Sequence, residues 1–185
     1  MEVFTTLEVG TGVFGFVSRE SKLVATYLPQ SRRAVVARIH AAFADAVEDA
    51  SILPRFRQNV ASYYRGKCVR FSVRVDLTDQ PPYRRAVLEA CRRIDFGKTA
   101  SYTDLARATN NPRAARAVGS AMANNPLPLV IPCHRVLRSD GTLGGFSSPK
   151  GIREKLRMLE LEGVSTNGLD RVVRVPRRAG SAKVA

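Results

Sequence analysis

The sequence predicts an α+β protein: a small N-terminal β-sheet with helices, followed by a helical C-terminal domain that carries a helix-turn-helix. Three observations predict it. Residues 2–28 read as short strands rich in β-branched residues and broken by glycine turns. From Arg33 the apolar period lengthens to that of a helix. Beyond Asp79-Gln80-Pro81-Pro82 the long apolar stretches are helical in period, and two prolines after a strand cannot continue it but can open a helix. The expected division is therefore 1–79 as a structural α/β domain, 80–165 as a second, working domain, and 166–185 as a basic, disordered end.

Each element has its reason. Val3–Val9, Val13–Val17 and Leu23–Leu28 are the strands, the first two joined by Gly10-Thr11-Gly12. Arg33 to Val47 places Val35, Val36, Ile39, Phe43 and Val47 at helical spacing, and Pro54 to Arg65 does the same with Phe56, Val60 and Tyr63 or Tyr64 before Gly66. Val69, Phe71, Val73 and Val75 then alternate with Arg70, Ser72 and Arg74, the cleanest strand pattern in the chain. In the second half, Tyr83 to Ile94 carries Val87, Ala90 and Cys91 on one face. Its arginines, Arg84, Arg85, Arg92 and Arg93, are either a solvated face or a phosphate contact.

Ser101 and Asp104 form a capping box that opens the next helix. Asn111 and Pro112 read as the cap and first residue of another, Pro112 to Ala123, made almost entirely of small residues. Taken alone, this helix pair is better explained by ordinary packing with small residues at the contact. With thirty Lys plus Arg against sixteen Asp plus Glu, a net charge of +14, DNA docking becomes the better reading. Arg113 and Arg116, three apart, are its long basic groups and are expected on one face. A last helix, Gly151 to Glu162, is expected to turn Ile152, Leu156 and Leu159 inward.

At 185 residues and 44% hydrophobic, the chain can bury a sizeable core. No stretch reads as a signal peptide or a membrane span. Three widely spaced cysteines, Cys68, Cys91 and Cys133, argue for a reducing compartment, and the absence of a C-x-x-C pair argues against structural zinc. The chemistry converges on Ile131-Pro132-Cys133-His134-Arg135-Val136. A thiol near its ordinary pKa of about 8.5 is a weak nucleophile at neutral pH, and an adjacent histidine is a base that can activate it. Asn124-Asn125-Pro126-Leu127-Pro128 delivers the chain to this point rigidly, and Gly144-Gly145-Phe146-Ser147-Ser148-Pro149 is a second loop able to wall the same pocket.

Pro132-Cys133-His134-Arg135, preceded by Arg116-Ala117-Val118-Gly119 and Asn124-Asn125-Pro126-Leu127-Pro128 and followed by Gly144-Gly145-Phe146, resembles the O6-alkylguanine-DNA alkyltransferase family. The stretch from Gly97 to Ala106 and Tyr63-Tyr64-Arg65-Gly66-Lys67 are similar to it as well, so the likeness runs from the first strands to Gly163. The resemblance implies a ribonuclease H-like N-terminal half. It also implies an enzyme of direct-reversal repair, which flips O6-alkylguanine out of double-stranded DNA and moves the alkyl group irreversibly to its own cysteine, once per molecule. Repair of O4-methylthymine and cooperative binding along DNA stay open. No metal and no organic cofactor are expected, nor any membrane partner; a cytoplasmic monomer is.

Residue by residue, the resemblance makes Cys133 the methyl acceptor, His134 the base that takes its proton through a water, and Glu162 the acid that orients His134. It makes Tyr102 the donor to the departing guanine and Arg116 the finger that fills the vacated stack, with Tyr102, Arg113, Ala115 and Ser120 beside it on the minor groove. Asn125 would brace the loop. Pro128, Val136, Phe146 and Ser147 would bound the pocket, Ser147 presenting its N–H to O6. Two departures stand out: Ser147-Ser148-Pro149-Lys150-Gly151 is longer and stiffer than the family's usual loop, and Leu88 stands where tryptophan is frequent, read as a core substitution. Competing readings are a relative that binds alkylguanine without transfer, a transcription factor with a buried cysteine, and a cysteine hydrolase. The first lacks the cysteine that this chain has, and the last leaves the charge and the helix pair unexplained.

Overall fold

A computed structural model describes residues 1–167 and 172–174. The N-terminal half is built on a meander, β1 (Glu2–Val9), β2 (Gly12–Arg19) and β3 (Lys22–Gln30), followed by α1 (Arg32–Ala42), a short strand β4 (Val47–Glu48) and α2 (Pro54–Tyr64). The sheet order is β3-β2-β1-β4, antiparallel throughout except for β4, which runs parallel to β1. Strand β2 is central and buried on both faces, so it lacks a polar alternation. One face packs Phe4, Val17, Ala25 and Tyr27 against Val35 and Ile39 of α1. Gly15 is where α1 comes closest: a Cβ there would overlap Val35 Cγ1. The other face turns Phe14 and Phe16 toward Phe56, Val60 and Tyr63 of α2.

The second half contains α3 (Pro82–Arg92), β5 (Ala100–Ser101), α4 (Tyr102–Ala108), α5 (Ala115–Ala123), a single 3₁₀ turn (Cys133–Arg135), β6 (Val136–Leu137) and α6 (Ile152–Leu161). The short strands β5 and β6 pair in parallel, Ala100 with Val136 and Ser101 with Leu137. Residues of both halves share one core, from Phe14 and Tyr63 to Leu88, Val118, Ile131 and Met158. Leu88 is fully buried within it, as a core substitution should be.

Several expectations are corrected. The strand expected at Val69–Val75 has the alternating burial but no ladder; its pairing is one isolated bridge, Val75 with Leu23. The first helix stops at Ala42, and Val47 stands exposed in β4 instead of lying on the helix face. Helix α5 begins at Ala115, not Pro112, because the Asn111 N–H turns back to Ala106 O and residues 111–114 form a turn. Arg113 therefore precedes the helix and shares no helical face with Arg116, although both are exposed. Helix α6 buries Glu154, Lys155, Met158 and Leu159, while Ile152 is 40% exposed. Strand pairing between β7 (Ser165–Thr166) and β8 (Val172–Arg174) reaches into the segment expected to lack structure; the rest of that segment, 168–171 and 175–185, lies outside the described residues. Among the described residues, no helix is long and apolar enough to cross a membrane.

Candidate active site

The loop that carries the cysteine is fastened before it arrives. Thr26 of β3 donates its N–H to Pro126 O at 3.0 Å and its hydroxyl to Pro128 O at 2.7 Å. Asn125 then spans the bend, accepting from the Leu127 N–H at 3.0 Å and donating from Nδ2 to Ile131 O at 2.8 Å. Between them Leu129, 1% exposed, sits at φ +81°, a left-handed conformation that a leucine adopts only when its surroundings impose it. The chain is thus delivered to Pro132 in one shape, and the 3₁₀ turn, with the Arg135 N–H bonded to Pro132 O, sets Cys133 and His134 side by side.

Around them is a buried polar cluster. His134 Nε2 lies 2.7 Å from Glu162 Oε1, which places the ring proton on Nε2 and leaves Nδ1, which has no hydrogen-bond partner among the described residues, as the ring's basic atom. Arg135 grips the same carboxylate with two donors, Nε at 2.9 Å and Nη2 at 3.0 Å. The Tyr63 hydroxyl donates to Glu162 Oε1 at 2.9 Å and the Gly97 N–H to Oε2 at 3.0 Å. Burial by itself would raise the Glu162 carboxyl, but the hydrogen bonds and charges of His134 and Arg135 outweigh it and hold it at about 2. His134 is lowered too, but there burial wins: it reduces the ring's proton affinity more than Glu162 restores it.

Cys133 is 7% exposed. Burial pushes its thiol up, opposed by the Asn125 side chain, by the Lys155 charge and by backbone N–H groups. Lys155 is fully buried on α6, donating from Nζ to Val136 O at 2.6 Å and to Leu143 O, and forms no ion pair with a carboxylate among the described residues. Burial lowers it to about 8. The cysteine forms one wall of a pocket of about 310 Å³, whose others are Tyr102, Gly119, Met122, Ala123 and Gly145-Phe146-Ser147. Tyr102 opens α4, where Ser101 and Asp104 form the capping box; burial, then the neighbouring Cys133, raises its phenol and keeps it a donor.

Of the residues singled out from sequence, Cys133, Tyr102, Phe146 and Ser147 line this pocket, and His134 and Glu162 lie behind it. Asn125 braces the loop. Pro128 and Val136 are not in the lining: Pro128 ties the loop to β3, and Val136, fully buried, pairs with Ala100 and accepts from Lys155. Arg116 and Ser120 are exposed on α5, and Ala115 is half-buried at its start. Sequence reasoning passed over Arg135, Lys155 and Tyr63. Arg135 stood inside the quoted motif; a lysine on an amphipathic helix gives no signal that it is buried. Among the described residues no cluster of His, Cys, Asp and Glu has the makings of a metal site.

The chain matches a family profile described as 6-O-methylguanine DNA methyltransferase, DNA binding domain, over residues 82–164. It is 35% identical over 117 residues to a methylated-DNA--protein-cysteine methyltransferase of Haemophilus influenzae, a match covering 63% of this chain and 64% of that one. A protein of the same name from Methanosarcina barkeri is also 35% identical over 117 residues, covering 63% and 73% of the two chains. The crystal structure of the O6-methylguanine methyltransferase of Mycobacterium tuberculosis superposes with a TM-score of 0.73 at 30% identity, over 88% of this chain and 93% of that one. A structure of the M. tuberculosis protein in complex with DNA superposes equally well, TM-score 0.73 at 29% identity, over 86% and 92%.

Proposed function

Because the chain belongs to the methylated-DNA--protein-cysteine methyltransferase family, we propose that it repairs DNA by direct reversal, moving the alkyl group of O6-alkylguanine to Cys133. The observation that carries this reading is the Cys133 thiol at the wall of the pocket, backed by His134 with its Nδ1 unpartnered among the described residues and its Nε2 held on Glu162. The Cys133 proton passes to His134 Nδ1, directly or over one water. The thiolate sulfur forms a bond to the alkyl carbon as the O6–carbon bond breaks, and the electron pair leaves with the guanine. Tyr102, kept protonated, donates to that departing base. Lys155 supplies positive charge while the sulfur is anionic, and Glu162, fixed by Arg135 and Tyr63, steadies the imidazolium. A thioether is not returned to thiol by water, so each molecule acts once.

The duplex would lie against α5, whose outward face is Arg116, Ala117, Ser120 and Ala123. Small side chains let the helix backbone come close in the minor groove, and Arg116 would occupy the place of the extruded base, with Arg113 in the preceding turn on a phosphate. In this reading α4 and α5 are the helix-turn-helix, residues 1–79 the supporting domain and 80–165 the working one, with the cytoplasm as the place of action. The Ser147 N–H, with no protein acceptor among the described residues, is available to O6.

Intact-mass spectrometry after incubation with a duplex holding one O6-methylguanine tests this directly. The expected result is a gain of one methyl, mapped to Cys133 and saturating at one per molecule, in the wild type and none in Cys133→Ser. A wild type that binds the lesion without gaining mass would replace transfer by recognition alone.

A further inference from the structure

The strand pattern that stands out most in the sequence is one the sheet leaves without a partner. From Val69 to Val75 the side chains alternate as in a half-buried strand, Val69, Phe71 and Val73 turned inward and Arg70, Ser72 and Arg74 exposed. Yet the segment meets β3 only at its far end, where the Leu23 N–H bonds to Arg74 O at 2.8 Å and the Asp76 N–H to Leu23 O at 2.9 Å. On the opposite flank Arg92 of α3 reaches two of its carbonyls, Val73 O at 2.5 Å and Phe71 O at 3.5 Å. Among the described residues, no backbone N–H from Cys68 to Arg74 has a protein acceptor. Extended backbone with unused donors is a template for another strand.

Beside this segment runs a cleft of about 1010 Å³, more than three times the 310 Å³ pocket at Cys133 and sharing no lining residue with it. Residues 68–72 form one side of it and the end of α3 with the turn to Lys98 the other, over an apolar floor that includes Leu129 and Val130. Five basic residues line it, Arg70, Arg92, Arg93, Lys98 and Arg135, against the acids Glu89, Asp95 and Glu162; with Arg135 and Glu162 paired to each other, four bases face two acids.

We propose that this cleft binds an extended, acidic segment of a partner protein, added as a strand along Cys68–Arg74. Its main chain would pair with the unused N–H groups, its apolar side chains would cover the floor, and its carboxylates would meet Arg70 and Arg93 at the rim. The chain's own end does not suit the site: past Arg174 it carries Arg177, Arg178 and Lys183 and no acid. A nucleic acid offers phosphates to the arginines but neither a backbone ladder nor alternating apolar groups. This inference does not depend on alkyl transfer.

The test uses the full chain and a fluorescent peptide of roughly twelve residues that alternates Glu or Asp with Val or Ile, long enough to span the segment. Three controls accompany it: the same peptide N-methylated at every second residue, one with Lys at each acidic position, and a single-stranded oligonucleotide. Anisotropy is expected to show binding of the acidic peptide alone. Hydrogen exchange of the amides of residues 69–73 should slow on binding, and the double variant Arg70→Ala/Arg93→Ala should weaken affinity by about tenfold or more, with methyl transfer to Cys133 unchanged. No binding by the acidic peptide, equal binding by its N-methylated form, or displacement by the oligonucleotide would each overturn the proposal.

Discussion

To take a proton, His134 must be neutral. Burial lowers its proton affinity below the ordinary 6.5 against the pull of Glu162, so the single-turnover transfer rate is expected to stay level through neutral pH and to fall only below pH 6.5. A rate midpoint at pH 7 or above would contradict this. Lys155, lowered to about 8, is still charged at neutral pH and acts on the cysteine thiolate. In the same titration, Lys155→Met should lower the plateau by about tenfold, the worth of one pKa unit of thiolate, while leaving the acid limb in place. Its mark on stability has the opposite sign to that of an ion pair. Between about 8 and the unfolded value of 10.5 the folded state binds fewer protons, so the contribution of Lys155 to stability rises with pH across that window. Glu162, at about 2 against 4.5 unfolded, contributes stability that is present above pH 4.5 and is lost as the pH falls toward 2. Cys133 and His134 could be paired from sequence because they are neighbours. Lys155 and Tyr63 could not, since only the packing of α6 and α2 on the loop brings them there.

Helix α5 separates what folds from what works. Its inner face, Val118, Ala121 and Met122, is buried, and nothing lies within 4 Å of where a Cβ on Gly119 would stand. Gly119→Leu should therefore leave the melting temperature unchanged or raise it, since leucine is favoured over glycine in a helix by about 0.8 kcal/mol. The same side chain would stand at the mouth of the pocket, so transfer from lesion DNA should slow by about a hundredfold, the cost of a misplaced reacting base. A fall in melting temperature of several degrees would show that the position is structural instead. The small residues of α5 were legible in the sequence, but its start was not. The cap and proline at Asn111 and Pro112 satisfy local rules for a helix, and the backbone nonetheless uses Asn111 to close α4. The same limit applies to α6: a periodicity counted on apolar residues alone chose Ile152, because the buried positions Glu154 and Lys155 are charged.

In the whole molecule the two halves are not a worker and a bystander. Tyr63, from the N-terminal half and fully buried, donates to Glu162 across a shared core. Tyr63→Phe should cost about 1 kcal/mol of stability, the net worth of one buried hydrogen bond, and should slow transfer without changing affinity for lesion DNA. A weakened affinity with an unchanged rate would assign Tyr63 to docking. The boundary expected at residues 79–80 from the change of element type is thus no boundary for the chemistry: the α+β class follows from local periodicity, whereas contacts that cross the chain do not.

The tie between Thr26 and the loop at Pro126–Pro128 acts on two partners at once. It holds the approach to Cys133, and it also covers an outer strand of the sheet, whose free edge would otherwise invite other chains. Chemical competence and resistance to aggregation therefore share these two hydrogen bonds. A change that frees the loop is expected to cost solubility and activity together.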